Sequence, residues 1–411
     1  MVDYNLFTLP NGIRVVHKEV SNTKIVHCGF ILDIGSRDER DEQLGIAHFW
    51  EHMAFKGTTK RKAFHILNKL DSVGGELNAY TTKEKICFYA SALDKHMESA
   101  FELLQDITFD SIFPEKQIEN ERGVILEEMA LYHDNPEDAI QDEFDRVVFK
   151  DHPLGKNILG TQKSVRSFHR QDFKDFLKAN LNTEEVVFAC VGNVPLKKIQ
   201  RLADKYFKPI PHQRAQKQRI FFEGYEPSSE IIRRNITQAH CALGTTAYEL
   251  SNDKRLPFFM LMNILGGPGM NSRLNLALRE KYGFVYNVEA SYHPFSDTGL
   301  FSIFFGTEPG QVDRSQKLVL KELKKLREQP LGTLQLHKAK EQLIGQLAMA
   351  EENNTSLMLM MGKSILDLEK IDSLEAIFAR IRAIDASLLQ DIANERLQES
   401  QLSHLTFLPQ N

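Results

Sequence analysis

Two kinds of apolar pattern divide this chain. Short runs in which apolar residues alternate or crowd together predict strands, and longer stretches in which they recur every three or four positions predict helices. Leu6 to Pro10 and Ile13 to Val20 read as a strand pair about the turn Pro10-Asn11-Gly12, and Ile25 to Ile34 as a third strand ending at Gly35-Ser36. A helix over Gly45 to Lys56 contains no breaker, and an amphipathic segment at Ala63 to Val73 is closed by Gly74-Gly75. Glu76 to Thr82 leads into the strand Ile86 to Leu93. Helical periodicity resumes from Asp94 to Thr108 and from Pro114 onward, where proline suits a first turn. Another segment starts at Pro136 and reaches about Phe149, and His152-Pro153-Leu154-Gly155 is a loop. Then come a helix at Phe173 to Ala179, a buried strand at Glu185 to Val191 and a helix at Pro195 to Phe207.

Between Pro209 and Arg219 the composition turns to Pro, His, Gln, Arg and Lys with few apolar residues, which marks a linker. The expected division is therefore 1–208, a linker over 209–218, and 219–411. The second part repeats the plan of the first: a strand, helices at Leu256 to Leu265 and Ser272 to Lys281, strands at Val285 to Tyr292 and Leu300 to Phe305, helices to about Glu399, and a last strand at Ser403 to Leu408. In both parts a helix closes before a strand, at Leu70-Asp71-Ser72-Val73-Gly74-Gly75 and at Leu278-Arg279-Glu280-Lys281-Tyr282-Gly283. A length of 411 residues suits two domains.

Composition narrows the function classes. The chain is 42% hydrophobic and 26% charged with a net charge of −5, which supports a sizeable core and gives no sign of a nucleic-acid partner. No apolar stretch reaches bilayer-spanning length, and Met1-Val2-Asp3-Tyr4-Asn5 lacks the basic and apolar regions of a secretory leader, so a cytoplasmic protein without a membrane partner is expected. Cys28, Cys87, Cys190 and Cys241 are widely spaced and read as reduced core residues rather than a thiolate site.

Candidate chemistry lies in the first helix, which carries the pattern H-x-x-E-H. Residues four apart share a helical face, so His48 and His52 can direct two imidazoles at one metal ion with Glu51 beside them. Two neutral imidazoles suit zinc, whose catalytic sites take three protein ligands and keep one position open. H-x-x-E-H is the inverted form of the H-E-x-x-H zinc motif. Glu51 is placed to take the proton from an attacking water. Alone, the pattern also fits two of the 14 histidines falling four apart by chance, with Glu51 on a solvated flank. The third ligand must come from elsewhere. In the helix beginning near Pro114, Glu121 and Glu128 share a face two turns apart, although spacing alone does not separate Glu128 from Glu127, and a solvated face is the alternative for Glu121.

With that second helix the likeness becomes specific. H-x-x-E-H followed by a glutamate in the context E-R-x-V-I-x-E resembles the pitrilysin and insulin-degrading-enzyme family of zinc peptidases (family M16), and His48 to Thr58 is similar to the beta subunits of mitochondrial processing peptidases and their bacterial relatives. Trp50 stands where those relatives carry a small aliphatic residue. The resemblance covers nearly the whole chain and implies an α+β fold of two homologous domains, each a mixed β-sheet backed by helices. It implies His48, His52 and Glu128 as ligands of one Zn2+ per chain, Glu51 as general base and Glu121 as a supporting carboxylate. Both the heptad relation to Glu121 and the family phrase favour Glu128 over Glu127. The second domain has only apolar residues and Asn263-Ile264-Leu265-Gly266-Gly267 where the first has His48 to His52, so it is expected to hold no metal.

The implied activity is that of a zinc metalloendopeptidase acting on peptides or unfolded protein. Asn78, Ala79 and Tyr80 are implied to hold an extended substrate along a strand edge; an ordinary strand entry fits the same residues. Arg279 and Tyr286 match an arginine and tyrosine pair that the family uses to hold substrate and stabilise the oxyanion. Without the resemblance they read as a helix C-terminal charge and a strand aromatic. In larger family members such a pair faces the zinc domain from the last of four domains. A chain of two domains is thus expected to receive it from a second subunit, in a homodimer or in a heterodimer with an inactive homologue. Two other functions fit the sequence: a catalytically inactive structural subunit of the same fold, and a metal-dependent hydrolase of other bonds.

Overall fold

The strand signals of the first half become β1 (Asn5–Thr8), β2 (Arg14–Glu19), β3 (Ile25–Leu32), β4 (Glu76–Thr81), β5 (Ile86–Leu93) and β6 (Val186–Gly192), in a sheet ordered β1, β2, β6, β3, β5, β4. The second half supplies β7 (Ser229–Arg234), β8 (Ala239–Ala247), β9 (Val285–Pro294), β10 (Gly299–Thr307) and β11 (Ser403–Pro409), ordered β7, β11, β8, β10, β9. The computed structural model describes residues 4–410; Met1, Val2 and Asp3, part of the segment read for a leader, lie outside the described residues.

The two sheets share one plan. Strands β2, β6, β3, β5 and β4 correspond in turn to β7, β11, β8, β10 and β9: the first junction of each series is parallel and the other three are antiparallel. Among the described residues, only β1 lacks a counterpart in the second sheet. The fold is the expected α+β pair of mixed sheets backed by helices.

Helices cover both faces of each sheet, which is why β6 is buried along its whole length and reads as an unbroken apolar run. Its alternate residues serve two cores. Val186, Phe188 and Cys190 join Phe30, Trp50, Phe101 and Phe207 on the face backed by α1 (Ile46–Ala54), α2 (Ala63–Asp71) and α3 (Met97–Phe109). Val187, Ala189 and Val191 pack on the opposite face against Leu357, Met358, Met361 and Ile365 of the helix Asn354–Leu368. Truncating one such buried side chain to alanine costs about 2–5 kcal/mol. Two more helices follow α3: α4 (Glu115–Asp134) and α5 (Pro136–Val148). On the second sheet, Ala242, Leu300, Leu405 and Phe407 are covered by Ile140, Phe144, Val147 and Val148 of α5.

The compact units consequently differ from the contiguous division 1–208 and 219–411. The first runs to Met129 and adds Lys156–Arg219 and Met349–Ser373; the second takes Ala130–Gly155, Ile220–Ala348 and the chain from Leu374 onward. Each unit has received a helix encoded in the other half of the chain. The segment read as a linker is fastened to the first unit. Lys217 pairs with Asp33 at 2.6 Å and with Glu185 at 2.8 Å, and Arg219 pairs with Asp38 at 2.8 Å and Asp33 at 3.0 Å. One helix also differs from expectation: Ser272 to Lys281 winds as a wider π-helical turn over Asn275–Glu280, with the Lys281 N–H donating to the Leu276 carbonyl.

Candidate metal centre

Helix α1 is anchored before it presents anything. Gly45 enters it at φ +92, and a Cβ there would meet the Leu159 carbonyl oxygen at 2.5 Å, so both backbone conformation and space require glycine. The buried Glu39 carboxylate accepts from the Gly45 N–H at 2.8 Å and the Ala47 N–H at 2.9 Å, satisfying donors that a helix start leaves open. Ile46, Phe49, Trp50 and Met53 point into the core. Trp50 lies edge-on to Phe88 with ring centroids 5.5 Å apart, so the residue that departs from the family pattern is absorbed by packing behind the helix. What remains for the outer face is His48, Glu51 and His52.

Helix α4 brings the acidic partners. Arg122 is buried and holds it in place by donating to the carbonyls of Val165 and Phe168, the latter at 2.8 Å. Glu128 then reaches both imidazoles, its Oε2 lying 3.8 Å from His48 Nε2 and 3.5 Å from His52 Nε2. One donor atom from each of the three side chains falls within 4.8 Å of the others. A tetrahedral zinc with bonds of about 2.0–2.2 Å spaces its ligands roughly 3.4 Å apart, so this group fits such an ion with little adjustment. Glu127 is exposed and outside the group, which separates two neighbours that spacing left equivalent.

Glu121 is buried between two cations rather than on a solvated face. Its Oε2 lies 3.2 Å from His52 Nδ1 and its Oε1 is 2.7 Å from Lys56 Nζ. A hydrogen bond at Nδ1 leaves Nε2 of His52 facing Glu128, the tautomer that a metal ligand needs. In the metal-free chain the two histidines are driven apart. Burial, reinforced by the nearby His52, lowers the pKa of His48 to about 4. Burial also opposes charge on His52, but its bonds to Glu121 and Glu128 outweigh this and lift it to about 9. Hydrogen bonding to His52 holds Glu128 below its usual value, against burial.

Glu51 lies beside this group. Its Oε2 accepts from the Thr81 hydroxyl at 2.6 Å, which ties it to β4, and burial raises its pKa despite that bond. Strand β4 pairs with β5 from Glu76 to Thr81 and forms the margin of its sheet, so its outer backbone groups pair with no strand among the described residues. Asn78, Ala79 and Tyr80 therefore lie on an open edge. Their side chains diverge: Ala79 packs toward the core behind α1, whereas Tyr80 joins the opposite face, under Lys363 with the ammonium 5.0 Å from its ring centre. In the second unit, the Arg279 guanidinium stands 5.5 Å from the centre of the Tyr286 ring, and Tyr286 is 83% exposed. Arg279 also lines a cavity of about 550 Å3 there, together with Asn263, Met270 and Asn287.

Three contributors were not singled out from sequence. Lys56 follows His52 by one helical turn, a spacing that could have revealed it. Thr81 continues the edge already read at Asn78 to Tyr80. Glu39 gives no local signal, because its partners are backbone groups across a loop.

Comparison with known proteins gives two consecutive matches along the chain. Residues 14–162 match the model of the insulinase family, peptidase family M16, and residues 167–343 match the model of the peptidase M16 inactive domain. An uncharacterised zinc protease of Bacillus subtilis is 31% identical over 407 residues, 96% of this chain and 95% of that protein. One from Rickettsia felis is 34% identical over 393 residues, again 96% of this chain and 95% of the relative. The crystal structure of a protease from Helicobacter pylori superposes with a TM-score of 0.92 at 20% identity, covering 100% of both chains. That of a peptidase M16 inactive domain from Pseudomonas fluorescens gives 0.93 at 18% identity, covering 100% of this chain and 99% of that one. At such identities the structures speak for the fold.

Proposed function

Because the chain belongs to peptidase family M16, we propose that it is a zinc-dependent endopeptidase whose single metal is held by His48, His52 and Glu128 and whose general base is Glu51. The observation that carries this reading is the grouping of three donor atoms within 4.8 Å of one another, with a half-buried carboxylate alongside. Bound there, zinc supplies a Lewis acid that acidifies water and polarises the scissile carbonyl.

The chain's own residues do the rest. Glu51 takes the proton from the attacking water and returns it to the leaving amine, a role helped by the burial that raises its pKa. Thr81 fixes the carboxylate through its hydroxyl, and Glu121 orients His52 through Nδ1. The open edge of β4 binds extended substrate through main-chain hydrogen bonds and so reads backbone more than side chains, which predicts broad specificity. Arg279 and Tyr286 of a second copy complete the site by donating to the developing oxyanion.

The test is digestion of a peptide library, with peptide and ester substrates assayed in parallel and cleavage sites read by mass spectrometry. Cleavage of peptides that stops on chelation and returns with zinc is expected. Zinc retained without any hydrolysis would instead identify a structural subunit, and ester cleavage alone a different hydrolase.

A further inference from the structure

A second cavity, of about 520 Å3, lies in the first unit where α3 ends, between the helices Arg170–Asn180 and Leu196–Tyr206. None of the metal-group residues lines it. Its volume is that of a small-molecule site. Four lysines line it, Lys60, Lys174, Lys178 and Lys205, against one acid, Asp110, on a chain whose net charge is −5.

Two of these cations are already engaged. Lys60 lies 3.5 Å from Asp110, and Lys205 lies 2.8 Å from Glu98. Lys174 and Lys178 have no ion-pair partner among the described residues, although they stand one turn apart on one helix, an arrangement that disfavours the helix unless an anion lies near both. Lys178 and Lys205 occupy last turns, where a cation complements the helix carbonyls. That leaves Lys174 unaccounted for. Thr108 lines the same cavity, is 2% exposed, and its hydroxyl has no hydrogen-bond partner. Phe109, Leu177 and Ile210 give the remaining wall an apolar surface.

We propose that this cavity binds a phosphate monoester carrying a compact, ring-sized apolar group. Ammonium groups act as point charges and suit phosphate, whereas planar carboxylates are matched by arginine, and no arginine lines the cavity. The apolar wall takes the organic part and the lysine rim takes the phosphate.

The test is calorimetric titration of the full chain with phenyl phosphate, inorganic phosphate and phenol, each with metal bound and after its removal. One-to-one binding of phenyl phosphate that survives metal removal and is roughly tenfold tighter than that of inorganic phosphate is expected. The Lys174→Gln, Lys178→Gln double variant should weaken it by about tenfold or more while peptide hydrolysis stays unchanged. Both lysines are exposed, so the variant is expected to fold. Absence of saturable binding, equal binding by the double variant, or loss of binding with the metal overturns the site. Equal affinity for inorganic phosphate overturns the apolar half of the assignment.

Discussion

The two units use one strand plan and carry different side chains at the corresponding place. In each, a central strand leads to a helix, then to a short helical segment and then to the strand at the sheet margin: β3, α1, α2, β4 in the first, and β8, Arg255–Gly266, Asn275–Glu280, β9 in the second. Late in α1, His52 meets Glu121 and Glu128 of α4. Late in the helix Arg255–Gly266, Asn263 instead donates to Gln346 of the helix Thr333–Glu351 at 2.5 Å. Each pair links its helix to a later one. An amide pair carries no charge and offers no imidazole lone pair, so it holds helices together without attracting a cation or accepting a proton. The difference teaches that the scaffold supplies position and that a handful of donors supplies reactivity.

The largest effect that can break this comparison comes from Glu51. Glu51→Gln is expected to lower peptide hydrolysis by roughly 10²–10⁴-fold while zinc content stays at the wild-type level, because the proposed base lies outside the proposed ligand set. Metal analysis beside the assay decides it. If Glu51→Gln loses zinc as fully as His52→Ala, the residue belongs to the coordination shell. By the same measurement Glu128→Gln is expected to lose zinc and Glu127→Gln to keep it.

A second experiment asks whether the units cooperate between chains. If Tyr286 donates to the oxyanion as proposed, Tyr286→Phe lowers hydrolysis about 10²–10³-fold, as at other such donors. Glu51→Gln and Tyr286→Phe chains, each inactive alone, are expected to regain activity when mixed, since one site of a mixed dimer keeps both intact halves. Isotopic or tag labelling confirms that mixed dimers formed. Confirmed mixed dimers that stay inactive would place both halves of the site in one chain.

Much of this organisation was legible beforehand, and the parts that were not have physical reasons. The strand Ile86 to Leu93 has the bounds read from its apolar run. His48 and His52 followed from helical spacing because a helix fixes side-chain direction within one element, whereas Glu128, on another helix, was separated from Glu127 only with the help of the family resemblance. The exchanged helices did not follow. An amphipathic stripe on α5 or on Asn354–Leu368 announces a face to bury but not which sheet will receive it, and here the receiving sheet belongs to the other half of the chain. The π-helical turn at Asn275–Glu280 was equally hidden, since six residues are too few for a wider turn to show in the apolar periodicity. Tyr80 shows a third limit: Glu76 to Thr82 reads only as a lead into the strand Ile86 to Leu93, yet Glu76–Thr81 is a strand of its own, and the face Tyr80 takes depends on pairing with β5.

A smaller effect isolates Glu121, the residue that turns His52 toward the metal group. Glu121→Gln keeps a hydrogen-bonding side chain but removes the charge shared with His52 and Lys56. Zinc affinity is expected to fall about 10–100-fold, the usual consequence of losing a carboxylate behind a ligating histidine. Competition with a chromophoric chelator measures it. A variant with unchanged affinity would reduce Glu121 to a packing role.

The smallest effect is a single proton, and it follows from the opposed histidines of the metal-free chain. His48, held at about 4, is neutral at pH 7, whereas His52, held at about 9, is charged. A metal ion needs both lone pairs, so uptake at pH 7 must expel the His52 proton into solution. The sign is set by the raised value: between about pH 5 and 9 the metal-free chain holds a proton that the loaded chain cannot. Zinc affinity therefore rises about tenfold per pH unit across that window and flattens above it. Calorimetry in buffers of different ionisation enthalpy counts the proton, with about one released at pH 7 and none at pH 10. Because Glu121 and Glu128 raise that value, Glu121→Gln is expected to move the plateau to lower pH. Uptake at pH 7 with no proton released would mean that His52 is neutral before the metal arrives, and that the carboxylates around it organise the site without charging it.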